Sequence, residues 1–199
     1  GLLIFRSFVE AARVPTIRLA STRLEPNLDL DARHTWHLFL SHVWGTGQDQ
    51  CATIKRQLYA LLPGVSIFLD VDDLKDIGAL EEYVDATAVI MIFVSKGYFK
   101  SKNCLREANC TVVKKKPITL VHDSAVYLDN YTPLEEIKAE LGSEKAAQEL
   151  VKAQGGAATG NQRLSTAQLR EAIFQDSQPS PRVVIPWHRI KDFQLVSLK

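Results

Sequence analysis

Ala88-Val89-Ile90-Met91-Ile92-Phe93-Val94 is apolar at every position. Successive side chains of a strand point to opposite faces, so a strand with one wet face alternates apolar and polar residues. An unbroken apolar run predicts a strand covered on both sides. This run is read as the central strand of a sheet. It is too short to cross a bilayer, which takes roughly 20 apolar residues. The longest strongly apolar run of the chain is Ala86 to Val94, interrupted by Thr87.

Working outward, Val65-Ser66-Ile67-Phe68-Leu69 and Trp36-His37-Leu38-Phe39-Leu40 read as two earlier strands. Gly45 and Gly47 follow the first of these as a loop, and a helical pattern then runs through Ile54, Leu58, Leu61 and Leu62 until Pro63-Gly64 stops it. A short helix is expected over Leu80 to Asp85 and another from about Cys104 to Lys115. Pro117-Ile118-Thr119-Leu120-Val121 and Val183-Val184-Ile185 supply the last two strands. Between them, helices are expected around 133–153 and 166–175, with Gly155-Gly156-Ala157-Ala158-Thr159-Gly160 as a mobile loop. Strands alternating with helices imply a parallel sheet, because each parallel connection needs a crossover and the crossover covers a face. The expected fold is therefore α/β, a flavodoxin-like three-layer arrangement with strand order 2-1-3-4-5. Residues 1–33 read as an N-terminal extension or linker, 34–199 as the domain, and 123–181 as an enlarged final crossover.

The 199 residues are 46% hydrophobic, and 24 Lys+Arg against 23 Asp+Glu leave a formal charge of +1. Balanced charge without a long run of one sign excludes a dedicated nucleic-acid binder. Lys114-Lys115-Lys116, the one compact basic cluster, reads as the solvated C-terminal end of a helix. The chain starts at Gly1 and ends within a helical pattern, as a fragment of something longer would. Cys51, Cys104 and Cys110 are odd in number and lack metal-ligand spacing, which suits reduced thiols in a cytoplasmic protein. Asn109-Cys110-Thr111 matches the glycosylation pattern but falls on an expected helix.

In open α/β sheets the ligand sits beyond the carboxyl ends of the strands. The polar residues there are Ser41, His42 and Trp44 after the first strand, Asp70, Asp72 and Asp73 after the second, Ser95, Lys96 and Tyr98 after the third, and His122 and Asp123 after the fourth. Gly45-Thr46-Gly47 is an incomplete dinucleotide fingerprint, lacking the third glycine. Asp70-Val71-Asp72 has the opening form of a Mg-dependent aspartyl-phosphate phosphatase. That motif belongs on a first strand with a later Asp-Asp pair, and neither condition is met.

Phe39-Leu40-Ser41-His42, Ile67-Phe68-Leu69-Asp70 with Asp73-Leu74 and Gly78, and Val94-Ser95 through Tyr98, Ser101, Cys104-Leu105 and Glu107 resemble the successive signature boxes of a TIR (Toll/interleukin-1 receptor) domain of the plant-like type. The resemblance covers 34–122 in register and extends more loosely to Pro186-Trp187 and the final helix. It implies that Val71 to Ala79 is the BB loop and that the helix from Cys104 is αC. It also implies that NAD is the substrate, with no bound cofactor and no metal, and that Glu107 is the catalytic residue. Ser41, His42, Trp44, Asp73, Ser95 and Cys104 would then surround the substrate. A carboxylate beside the ribose stabilises the oxocarbenium charge that develops as nicotinamide leaves. Catalytic members often carry tryptophan four residues before the glutamate; Asn103 stands there, and Trp44 is the candidate replacement. The resemblance further implies TIR–TIR self-association in intracellular signalling. A non-enzymatic interaction module acting through the BB loop and the αC and αD surfaces is the other reading. By position alone, Glu107 also suits a solvated acid in the first turn of a helix.

Overall fold

The structure, a computed structural model, describes residues 16–69, 79–126, 131–154 and 163–189. Asp70, Asp72, Asp73, residues 71–78 of the expected BB loop and the 155–160 segment lie outside these residues. Five parallel strands, β1 (Trp36–Ser41), β2 (Ile67–Phe68), β3 (Thr87–Val94), β4 (Ile118–Asp123) and β5 (Val184–Trp187), form one sheet in the order 2-1-3-4-5. The α/β flavodoxin-like order expected from the alternating pattern is the observed one. β3 pairs with β1 through Leu38 opposite Val89 and Leu40 opposite Met91, and with β4 through Ile92 opposite Leu120.

The apolar run divides by parity, as a strand covered on both faces requires. Ile90, Ile92 and Val94 join Phe39, Phe68 and Leu120 in one core. Met91 and Phe93 join Leu40, Ile67, Val121 and Trp187 in the other. The second core is closed by α1 (Trp44–Leu61) through Cys51 and Ile54. The first is closed by α2 (Leu80–Asp85), α3 (Lys102–Val113), α4 (Leu134–Ala139), α5 (Glu144–Ala153) and α6 (Thr166–Phe174). The enlarged crossover thickens this face: Ile137, Leu150, Leu169, Ile173 and Phe174 are buried there. Arg182 then leads the chain into β5, donating to the carbonyls of Ile173 at 2.7 Å and Ile118 at 2.9 Å.

Three expectations change. Gly45 and Gly47 belong to the first turn of α1 and not to a loop. A Cβ on Gly47 would lie 3.1 Å from both His42 Cβ and Phe93 Cδ1, so the glycine lets the helix start close against the sheet. The helix expected over 133–153 is broken by a 3-10 turn at Glu140–Gly142, after which the Ser143 hydroxyl caps α5 by accepting from the Ala146 N–H. The basic cluster is not a solvated helix end throughout: the Lys116 ammonium donates to the carbonyls of Asp85 and Thr87 and lies 3.2 Å from the His34 ring. Asn109 of the glycosylation pattern is fully buried.

Arg106 on α3 grips Glu81 on α2 at two points, Nε to Oε1 at 2.9 Å and Nη2 to Oε2 at 2.6 Å, with the Glu81 side chain only 5% exposed. Such a fork needs the planar guanidinium. Removing one partner strands a buried charge, so Arg106→Ala is expected to lower unfolding free energy in urea by about 3–5 kcal/mol, with Arg106→Lys recovering only part of it. An Arg106→Ala loss below about 1 kcal/mol would show that α2 and α3 are held by packing alone.

Candidate functional site

β1 runs on into α1 on one face of the sheet, whereas β3 runs on towards α3 on the other. Where neighbouring strands send their connections to opposite faces, a crevice opens at their carboxyl ends. Ser41 ends β1, Tyr98 lies in the 3-10 turn Tyr98–Lys100 after β3, and Glu107 lies in the middle of α3. The three side chains meet. Ser41 Oγ donates to Glu107 Oε2 and lies 2.5 Å from the Tyr98 hydroxyl. A serine hydroxyl has one proton, so its donation to the carboxylate makes Tyr98 the donor to Ser41. The chain of hydrogen bonds runs from Tyr98 through Ser41 to Glu107.

Two features fix the tyrosine. Gly97, at φ 88°, adopts the left-handed turn that starts the 3-10 segment. The Glu140 carboxylate, far along the chain, accepts from the backbone N–H of Gly97 at 2.8 Å and of Phe99 at 3.3 Å. Burial holds the Tyr98 phenol well above its ordinary value, and the neighbouring Cys104 and Glu107 push it further in the same direction.

The remaining expected residues cluster around this chain with different roles. Cys104 starts the inward face of α3, its thiol donating to the His42 carbonyl at 3.3 Å, and Ser101 caps the helix by accepting from the Cys104 N–H. His42 is buried, with Nδ1 donating to the Leu40 carbonyl at 3.1 Å. Ser95 is buried and accepts from the Thr46 hydroxyl at 2.9 Å. Trp44 is 59% exposed in the first turn of α1, and so stands on a helix rather than in the loop expected for it. Asp73 lies outside the described residues. Glu107 is not a solvated acid in a first turn, since it is 4% exposed at mid-helix.

Sequence reasoning placed Tyr98 at the right edge without assigning it to the site, and it missed Thr46 and Glu140. Thr46 was hidden by reading Gly45 to Gly47 as a loop. Glu140 carries no local signal, because its role depends on how the long crossover packs. Among the described residues, no three His, Cys, Asp or Glu side chains are arranged to hold a metal ion. All three cysteines are buried thiols outside any disulfide, and burial pushes the Cys110 thiol up to about 11.

No protein-family model matches the chain, and no curated protein matches it.

Tyr98 makes stability depend on alkaline pH in a defined direction. Its phenol ionises at the ordinary value of about 10 in the unfolded chain but higher in the folded one. Its contribution is therefore intact below about pH 10 and is lost as pH rises towards the folded value. Tyr98→Phe is expected to flatten the fall of the urea midpoint between about pH 9 and 11. Identical alkaline limbs in the two proteins would contradict this assignment. The three thiols are expected to react with a disulfide reagent at least about 100-fold more slowly in the native chain than in urea at pH 8. Fast native labelling of Cys104 or Cys110 would show that the α3 face opens, and of Cys51 that the α1 face does.

Proposed function

We propose that the chain is a TIR-type NAD+ hydrolase of intracellular signalling, with Glu107 as its catalytic residue. The observation that carries this reading is the Glu107 carboxylate, held by a hydroxyl from the end of β1 at the switch point of a parallel sheet. A carboxylate fixed there supplies negative charge where a bound nucleotide's ribose would lie, and it needs no reorganisation when the ribose becomes cationic.

In the reaction the bond between nicotinamide and ribose C1′ breaks, and its electron pair neutralises the pyridinium ring. The ribose passes through an oxocarbenium-like state that Glu107 stabilises. Water, or a nucleophile of the same nucleotide, then bonds to C1′ and loses a proton, giving ADP-ribose or a cyclised product. Because nicotinamide departs as a neutral ring, no strong general acid is required. Trp44, exposed in the first turn of α1, offers an aromatic surface, which Asn103 on α3 does not. TIR–TIR self-association would complete the cleft with the BB loop of a second copy, and the three reduced, buried thiols suit a cytoplasmic setting.

A second reading, a TIR interaction module without catalysis, is favoured by the same burial of Glu107, since a carboxylate only 4% exposed serves equally to tie α3 to β1.

Nicotinamide release from NAD by concentrated, self-associated protein separates the two. Glu107→Ala is expected to slow release by at least about 100-fold, the scale of losing one preorganised electrostatic contact at a reacting centre. Unchanged release in Glu107→Ala would remove Glu107 from catalysis. Absence of release from the parent, together with saturable binding to a second TIR domain, would establish the interaction module.

A further inference from the structure

A small polar cavity lies at the carboxyl ends of β3 and β4, with a volume of about 30 Å³. Its lining includes Thr46, Ser95, Lys96, His122, Asp123 and Arg189. A water needs only about 10–15 Å³ of such space, so there is room for about two waters or for the leading oxygens of a larger head group.

His122 is the informative member. It is 9% exposed, and its Nδ1 lies 2.8 Å from the Val94 carbonyl, so Nδ1 carries the proton and donates it. Its Nε2 is buried with no hydrogen-bond partner. An unsatisfied buried ring nitrogen costs free energy, which a ligand in the cavity would recover.

The surrounding charge identifies the ligand. Lys96 and Arg189 bring two positive charges and Asp123 one negative. Both oxygens of Asp123 are already engaged: Arg189 donates to Oδ2 from Nε at 2.8 Å and from Nη2 at 2.5 Å, and the Ala125 N–H donates to Oδ1 at 3.0 Å. Thr46 comes from the first turn of α1, an 18-residue helix whose N-terminus has no side-chain cap and no acidic residue in its first turn. That end of a helix favours anions.

We infer that this cavity is a phosphate site, in which His122 Nε2 and Lys96 receive a phosphate group, free or at the end of a nucleotide, beside the start of α1. With phosphate bound, a hydrogen bond between Nε2 and a phosphate oxygen satisfies the orphaned ring nitrogen, beside the Tyr131 ring 5.9 Å from the imidazole. The inference does not depend on NAD cleavage.

The test is a titration of the full chain with inorganic phosphate at fixed pH, following the ring nitrogens of His122 by NMR. A saturable shift of the His122 Nε2 signal as phosphate is added is expected. Lys96→Met, an exposed position whose change leaves the core intact, is expected to weaken binding about tenfold, and His122→Gln by at least as much. Competition by ADP-ribose would identify the phosphate as part of a nucleotide; failure of ADP-ribose to compete would identify a free phosphate, and either agrees with the inference. An Nε2 signal unmoved by phosphate, or binding unaffected by Lys96→Met in the folded protein, would overturn it.

Discussion

The constraint on which the molecule depends is that β3 must be covered on both faces. Its residues divide by parity between two cores, Ile90, Ile92 and Val94 on one side and Met91 and Phe93 on the other. Each side needs its own layer of helix, and parallel pairing supplies it, because every crossover lays a helix across a face. β1 and β4 become neighbours of β3, and their carboxyl ends are brought side by side. The site is a consequence of this arrangement, since the crevice opens where β1 and β3 send their chains to opposite faces.

The site carries its own energetic logic. A carboxylate at mid-helix and nearly out of water is costly unless its oxygens are satisfied. Ser41 supplies a hydroxyl from the last position of β1, and Tyr98 satisfies Ser41 in turn. The tyrosine is placed by Gly97 and by Glu140, which belongs to the crossover segment. The enlarged crossover therefore does more than thicken the core, since it holds the turn from which the hydroxyl chain begins. On the β3–β4 side the polar groups are satisfied less completely, and the orphaned Nε2 of His122 marks the place where a ligand would compensate.

Much of the fold was legible because strand periodicity is a local property. The apolar run from Ala88 to Val94, the turn at Pro63-Gly64 and the short helix at Leu80–Asp85 each announce themselves within a few residues. Helix starts were less legible. α1 begins at Trp44 because Gly47 permits a close approach to Phe93, a reason that lies in the sheet and not in the loop-like composition of Gly45 to Gly47. The break between α4 and α5 depends on the Ser143 cap, which a helix-rich composition conceals. At the site, Ser41 was accessible as the residue that follows an apolar strand, and Cys104 and Glu107 only through the resemblance of their motifs to a known family. The Tyr98 link, the Glu140 clamp and the burial of Lys116 depend on pairs far apart in sequence, which no local pattern encodes.

Contact between Glu107 and a ribose can be observed by labelling the side-chain carboxyl carbons of glutamate and following Glu107 by NMR as a carbocyclic NAD analogue, which cannot form the oxocarbenium state, is added to self-associated protein. A saturable shift of the Glu107 carboxyl signal is expected, with its contact to Ser41 exchanged for one to the nucleotide. A Glu107 signal that stays fixed while the analogue binds elsewhere would contradict it and leave the carboxylate as a tie between α3 and β1.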